Sequence, residues 1–175
     1  MKKLILVNGP MGVGKSTTCH RLLHRIENCA FLDGDWCWTM NPFVVSEENK
    51  RMVMHNIVYI LRSYLNNTTF EHVIFCWVLH RMDTFDELLN ALKDIPFELH
   101  AFSLVCSPEQ LERRLSCDRL AGRRSTDVMD SLVRLPLYAD MPTVQIDTTN
   151  QTADQTAEYI LHQISLQKKG PVFPA

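Results

Sequence analysis

The sequence predicts an α/β protein with a parallel sheet covered by helices on both faces. Three observations carry this. Short apolar runs alternate in strict turn with segments whose apolar residues recur at helical spacing. Capping residues announce helix starts between them. No internal repeat, low-complexity tract or Pro/Gly-rich linker interrupts the chain before its closing GPVFPA. Strand, helix and strand in strict alternation imply right-handed crossovers, and the ligands of such sheets bind beyond the carboxyl ends of the strands.

In chain order, the strands are expected at 3–8, 30–33, 72–79, 99–105 and 144–147. The first helix follows from Cys19, Leu22, Leu23 and Ile26. The second follows from Val53, Ile57, Ile60, Leu61 and Tyr64, and the third from Phe85, Leu88, Leu89 and Leu92. Two more are marked by their starts. Ser107-Pro-Glu-Gln110 combines a capping-box spacing with proline at the first helical position, and Thr152-Ala-Asp-Gln155 repeats the box before Ala157, Ile160, Leu161 and Ile164.

The 175 residues, 46% hydrophobic and 22% charged with formal net charge −2, fit one soluble domain over 1–170 with a short tail at 171–175. The chain lacks the overall basic excess of a nucleic-acid binder, so that role is disfavoured. The apolar run after Met1-Lys-Lys is too short for a signal peptide and nothing approaches a membrane span, which makes the cytoplasm the expected location and a membrane no partner. The six cysteines form no CxxC and lie mostly in apolar runs, as buried reduced thiols do.

Chemistry is concentrated first in Gly9–Ser16, GxxxxGKS between the first strand and first helix. Glycines at 9, 12 and 14 let the backbone curl so that N–H groups point inward, joined by the positive end of the helix. Residues Gly9, Met11, Gly12, Val13, Gly14, Lys15, Ser16 and Thr17 are therefore expected to cradle the phosphates of a bound ligand. Lys15 reaches the outer phosphates, and the Ser16 hydroxyl faces Mg2+. The second stretch is Asp33-Gly-Asp35, at the end of the second strand. One carboxylate there suits a metal's water shell and the other an attacking hydroxyl, although Asp and Gly also make ordinary polar turns.

The combination of GPMGVGKST and AFLDGD resembles the small-molecule kinases of the P-loop superfamily, the gluconate, shikimate and adenylylsulfate kinases among them. The resemblance implies a three-layer fold with five parallel strands in the order 2-3-1-4-5, and transfer of the ATP γ-phosphoryl to a hydroxyl. It also implies Asp33 beside the metal and Asp35 beside the acceptor. The segment after Asp35 reads WCWTMNPF and that after strand three CWVLHRMDTF. There the histidine-containing turn and lysine-rich segment of gluconate kinases are missing, so the scaffold and ATP side carry over while gluconate as acceptor does not. Strand three also lacks a terminal Walker-B aspartate.

Five of the eleven arginines fall between Arg113 and Arg124. In related kinases one helix arginine packs on adenine and others sit on a small lid. By position Arg114 resembles the former, Arg119 or Arg123 the latter, with the lid at about 117–130. Arg113 and Arg124 read as a solvated basic face. Asp147, after the last strand, is expected on the adenine side. The acceptor pocket is expected around Trp36, Trp38, Trp77 and Arg81, with Trp77 alternatively in the core and His80 a rival to Asp35 as base. Three functional classes follow: a kinase of a small metabolite or antibiotic-like compound, a nucleoside or nucleotide kinase, and a nucleotide-binding protein with no acceptor.

Overall fold

A computed structural model describes residues 1–121 and 128–166, together with the backbone of 172–173. Five parallel strands, β1 (Lys2–Asn8), β2 (Cys29–Asp33), β3 (His72–Cys76), β4 (Phe97–Val105) and β5 (Val144–Asp147), form a sheet in the order β2-β3-β1-β4-β5. This is the expected order. A sixth, two-residue strand, β6 (Val172–Phe173), lies antiparallel to Phe97 and Glu98 of β4. It occupies an edge left open there because β5 pairs with β4 only from Phe102 onward.

The pleat of β1 divides the core. Leu4 and Leu6 point to one face with Val73 and Phe75, under α2 (Glu47–Asn66) and α3 (Met82–Asn90). Ile5 and Val7 point to the other with Ile74, Phe102 and Leu104, under α1 (Lys15–Leu23), α4 (Pro108–Leu120) and α6 (Ala153–Leu166). Burial of β1 on both faces explains why its sequence is continuously apolar rather than alternating.

Helix starts follow their caps. Ser46 accepts from Asn49 N at 3.1 Å and opens α2, and Ser107 accepts from Gln110 N at 3.2 Å and opens α4. At α6 the capping box is reciprocal: Thr152 Oγ1 accepts from Gln155 N, and Gln155 Oε1 accepts from Thr152 N at 2.9 Å. At α4 it is not, because Ser107 N donates instead to Thr149 Oγ1 at 2.9 Å and ties α4 to the loop after β5.

Three short elements go beyond the sequence expectation: a 3-10 turn at Gly34–Trp38, α5 (Val128–Arg134), and a second 3-10 turn at Leu135–Tyr138. Strand β3 also ends three residues sooner than expected. The buried Asn8 side chain takes over there, accepting from Leu79 N at 2.8 Å and donating to Leu79 O at 2.6 Å, so Leu79 leaves the ladder with both its backbone groups satisfied. Among the described residues no helix is long and apolar enough to cross a membrane.

Candidate phosphate-binding site

The loop between β1 and α1 is shaped by its glycines. Gly9 has φ +143°, and a Cβ there would lie 2.5 Å from Leu104 O. Gly14, the N-cap of α1, has φ +106° with open space beside it, so only its left-handed backbone demands glycine. Asn8 locks the start of the loop, since its Oδ1 also accepts from Gly9 N at 2.8 Å.

Inside this curl Lys15 is buried, and its Nζ donates to Pro10 O at 2.9 Å. The Ser16 hydroxyl donates to Asp33 Oδ2 at 2.6 Å, while Asp33 Oδ1 accepts from Asp35 N at 3.0 Å. One carboxylate therefore caps the 3-10 turn that carries Asp35 and also fixes the hydroxyl at the start of α1. Register places Asp33 beside Cys76, whose Sγ lies 4.0 Å from Ser16 Oγ. Thus β3 offers sulfur next to Ser16, and the carboxylate comes from β2. Beneath them Cys19 is fully buried, and burial, with a hydrogen bond to Cys76 adding to it, holds its thiol well above the usual range and therefore neutral.

A cavity of about 440 Å3 opens above the loop. Its floor is Gly12, Gly14, Lys15, Ser16 and Thr17. Asp35 stands on one side, and Gln110, Arg113, Arg114, Cys117 and Asp118 of α4 on the other. Arg114 is held in place: Nη1 donates to Val13 O at 3.0 Å and Thr148 Oγ1 at 3.1 Å, and Nη2 to Thr148 O at 2.7 Å. The fork ties the phosphate loop, α4 and the segment after β5 into one wall. Asp147 accepts from the Thr149 hydroxyl at 2.5 Å and Thr149 N at 2.8 Å, and these bonds lower its carboxyl below the usual range.

The structure thus brings Gly12, Gly14, Lys15, Ser16, Thr17, Asp35 and Arg114 around one cavity. Asp33 is bonded to Ser16 beneath, and Val13 is packed into the core below. Gly9, Met11, Asp147 and Arg119 are not in the cavity lining, and Arg113, expected on a solvated face, is. Arg123, Arg124 and the middle of the expected lid, 122–127, lie outside the described residues.

The expected acceptor residues separate. Trp36 is half-exposed, edge-on to Phe31 with centroids 5.3 Å apart. Trp38 packs on the core and against Phe43, and Trp77 lies against Gly34, where a Cβ would meet its ring at 2.6 Å. Arg81 is exposed and ion-paired with Asp83. His80 is half-buried, 6.3 Å from the Tyr138 ring. Sequence reasoning missed Asn8, whose only signal was a polar residue ending a fully apolar strand, and also Gln110, Cys117 and Asp118 in the cavity lining.

Residues 5–130 match the family described as the AAA domain. The chain belongs to that family. A search of curated proteins returns no match. Among solved structures, the tunicamycin resistance protein of Deinococcus radiodurans is similar at TM-score 0.67 and 21% identity, covering 100% of both chains. A gluconokinase from Sinorhizobium meliloti is similar at TM-score 0.66 and 15% identity over 95% of this chain and 97% of that one. The shikimate kinase of Acinetobacter baumannii, solved with shikimate, is similar at TM-score 0.62 and 21% identity over 96% of each. At these identities the AAA-domain chain shares their fold.

Proposed function

We propose that this AAA-domain protein is a Mg2+-dependent phosphotransferase moving the γ-phosphoryl of ATP to a hydroxyl of a small molecule. The observation that carries the reading is the joint placement of Lys15, Ser16 bonded to Asp33, and Asp35 around one cavity over a glycine-curled loop. Kinases of small molecules among the structural neighbours agree with it.

The residues fit a nucleotide and a divalent metal. Among the described residues no group of three or more His, Cys, Asp or Glu is placed to hold a metal ion. Mg2+ suits such a place, because it is held by one or two protein oxygens plus phosphates and water. Ser16 and Asp33 are the groups for it, and bound there it neutralises charge on the phosphates. Lys15 supplies a fixed cation at the transferring group, and curled backbone N–H groups of the loop supply donors. Asp35 orients the acceptor hydroxyl and takes its proton. Arg114 walls the adenine side with the segment after Asp147, while Arg119 and Arg123 belong to a lid at about 117–130. One kinase domain spans 1–170.

The test is ATP consumption over sugars, sugar acids, nucleosides and aminoglycoside-like compounds, with product masses measured. A phosphorylated product that disappears in folded Lys15→Ala protein supports the reading. Nucleotide binding with no product from any acceptor favours a binding protein instead.

A further inference from the structure

The 3-10 turn after β2 sends two consecutive side chains into two different cavities. Asp35 lines the phosphate cavity. Trp36 lines a second one, also of about 440 Å3, facing Met52, Asn56, Tyr59 and Ile60 of α2, with Thr39 at its rim. Met52, Asn56 and Tyr59 are exposed beside the stripe of Val53, Ile57 and Leu61 that α2 buries in the core, and Ile60 packs against that core at the edge of the cavity.

We propose that this second cavity receives the body of the phosphoryl acceptor, and that the acceptor is an uncharged alcohol built on a planar ring with a polar edge. The inference rests on the phosphotransferase reading and names its substrate class.

Charge is the first argument. None of the lining residues is charged; of the two not yet named, Met40 is apolar and burial raises the Cys37 thiol, so that it stays protonated. A sugar acid or phosphorylated acceptor needs a cation to replace its hydration. Arg81, expected for that task, is already ion-paired with Asp83.

Shape is the second. Trp36 and Tyr59 are 53% and 68% exposed, leaving two aromatic surfaces in water in the lining of one recess. Exposed apolar surface of this kind is released from water when a flat ring enters. Trp36 is held edge-on by Phe31, so its orientation is set beforehand. The Asn56 amide offers both donor and acceptor and Thr39 a hydroxyl, enough to read a polar ring edge. The volume lies within the ordinary range for small-molecule sites.

Connection is the third. Asp35 and Trp36 are consecutive, so one turn walls both cavities and a ring beside Trp36 lies next to the turn that carries Asp35.

The experiment measures binding by ligand-observed NMR to protein loaded with Mg2+ and a non-hydrolysable ATP analogue, which blocks the nucleotide site. The neutral panel contains thymidine, uridine and benzyl alcohol; the anionic panel contains gluconate and shikimate. Saturable binding of a neutral ring alcohol is expected, weakened about tenfold or more by Asn56→Ala and by Tyr59→Ala, the scale of a lost stacking or hydrogen-bond contact. Asn56 and Tyr59 are exposed, so both variants fold, and Asn56→Trp fills the recess and abolishes binding.

Binding confined to the anionic panel, binding indifferent to all three substitutions, or no binding of any neutral compound overturns the inference. A dimer dissolved by Tyr59→Ala, without ring binding, overturns it also and assigns the face to a second copy. Neutral-ring binding that fails to give a phosphorylated product with ATP supports the cavity's ligand class and overturns the phosphotransferase reading, so the two fail separately.

Discussion

The Ser16 hydroxyl donates to Asp33 Oδ2 across 2.6 Å, joining the first turn of α1 to the end of β2. The same carboxylate holds Asp35 N through its other oxygen. Asp33→Asn keeps an oxygen to cap the 3-10 turn but loses the charge that the proposed phosphotransferase reading sets beside the metal. Transfer is expected to fall, and the Mg2+ concentration giving half-maximal rate to rise about tenfold, the scale of losing one charged outer-shell partner. A magnesium titration of the steady-state rate checks this. An unchanged midpoint removes Asp33 from the metal.

Arg114, proposed to wall the nucleotide side, is held by three bonds to Val13 and Thr148. Arg114→Ala leaves Val13 O without its donor, which costs about 1–3 kcal/mol where that group stays buried, while Thr148 O keeps Gln151 N at 3.2 Å. Weaker ATP binding with little change in the saturated rate is expected, because the wall is the same in ground and transition states. Arg114→Lys restores charge without the planar fork and recovers little of either. Urea unfolding and calorimetric ATP titration check both effects. Full recovery by lysine makes the role one of charge alone.

The fold was legible because its signals are local. An apolar strand, a glycine loop and an N-cap each announce themselves within a few residues, so β1, α1, α4 and α6 follow from Gly14, Ser107 and Thr152. The phosphate loop was legible for the same reason. The bond of Asn8 to Leu79, 71 residues apart, was not, since only the sheet brings β1 and the end of β3 together. Nor was the separation of Asp35 from Trp36, which depends on a 3-10 turn too short to carry periodicity. Arg81 looked available for an anion because its partner Asp83 is recognisable only once α3 begins at Met82.

His80 is pulled below its usual 6.5, first by burial and then by the positive charges of Arg134 and Arg81, which Asp83 only partly offsets. It is therefore neutral at pH 7. Because the folded pKa is the lower one, the unfolded chain takes up a proton first as pH falls. Stability is complete above about pH 6.5 and declines from there toward the folded value. His80→Gln is expected to flatten this stretch of the pH–stability curve. Urea midpoints between pH 5 and 7.5 measure it, and an unaltered slope assigns the decline to other groups.

Asp35 stands in the phosphate cavity with Lys15, Ser16 and Thr17, on a turn fixed from below by Asp33. Phosphoryl transfer passes through a loose transition state with little bond formation to the nucleophile, so early basicity matters less than holding the hydroxyl in line. Asp35→Asn preserves size and one acceptor oxygen while losing charge and the ability to take the proton. It is expected to slow transfer about 10²-fold or more, within the usual range for a lost general base, with ATP affinity and the magnesium midpoint near wild type. Asp33→Asn shifts that midpoint, so the two carboxylates separate on one titration. Pre-steady-state mixing with ATP and acceptor distinguishes slowed chemistry from slowed release. A wild-type burst in Asp35→Asn protein removes the residue from the chemical step and passes the base role to His80.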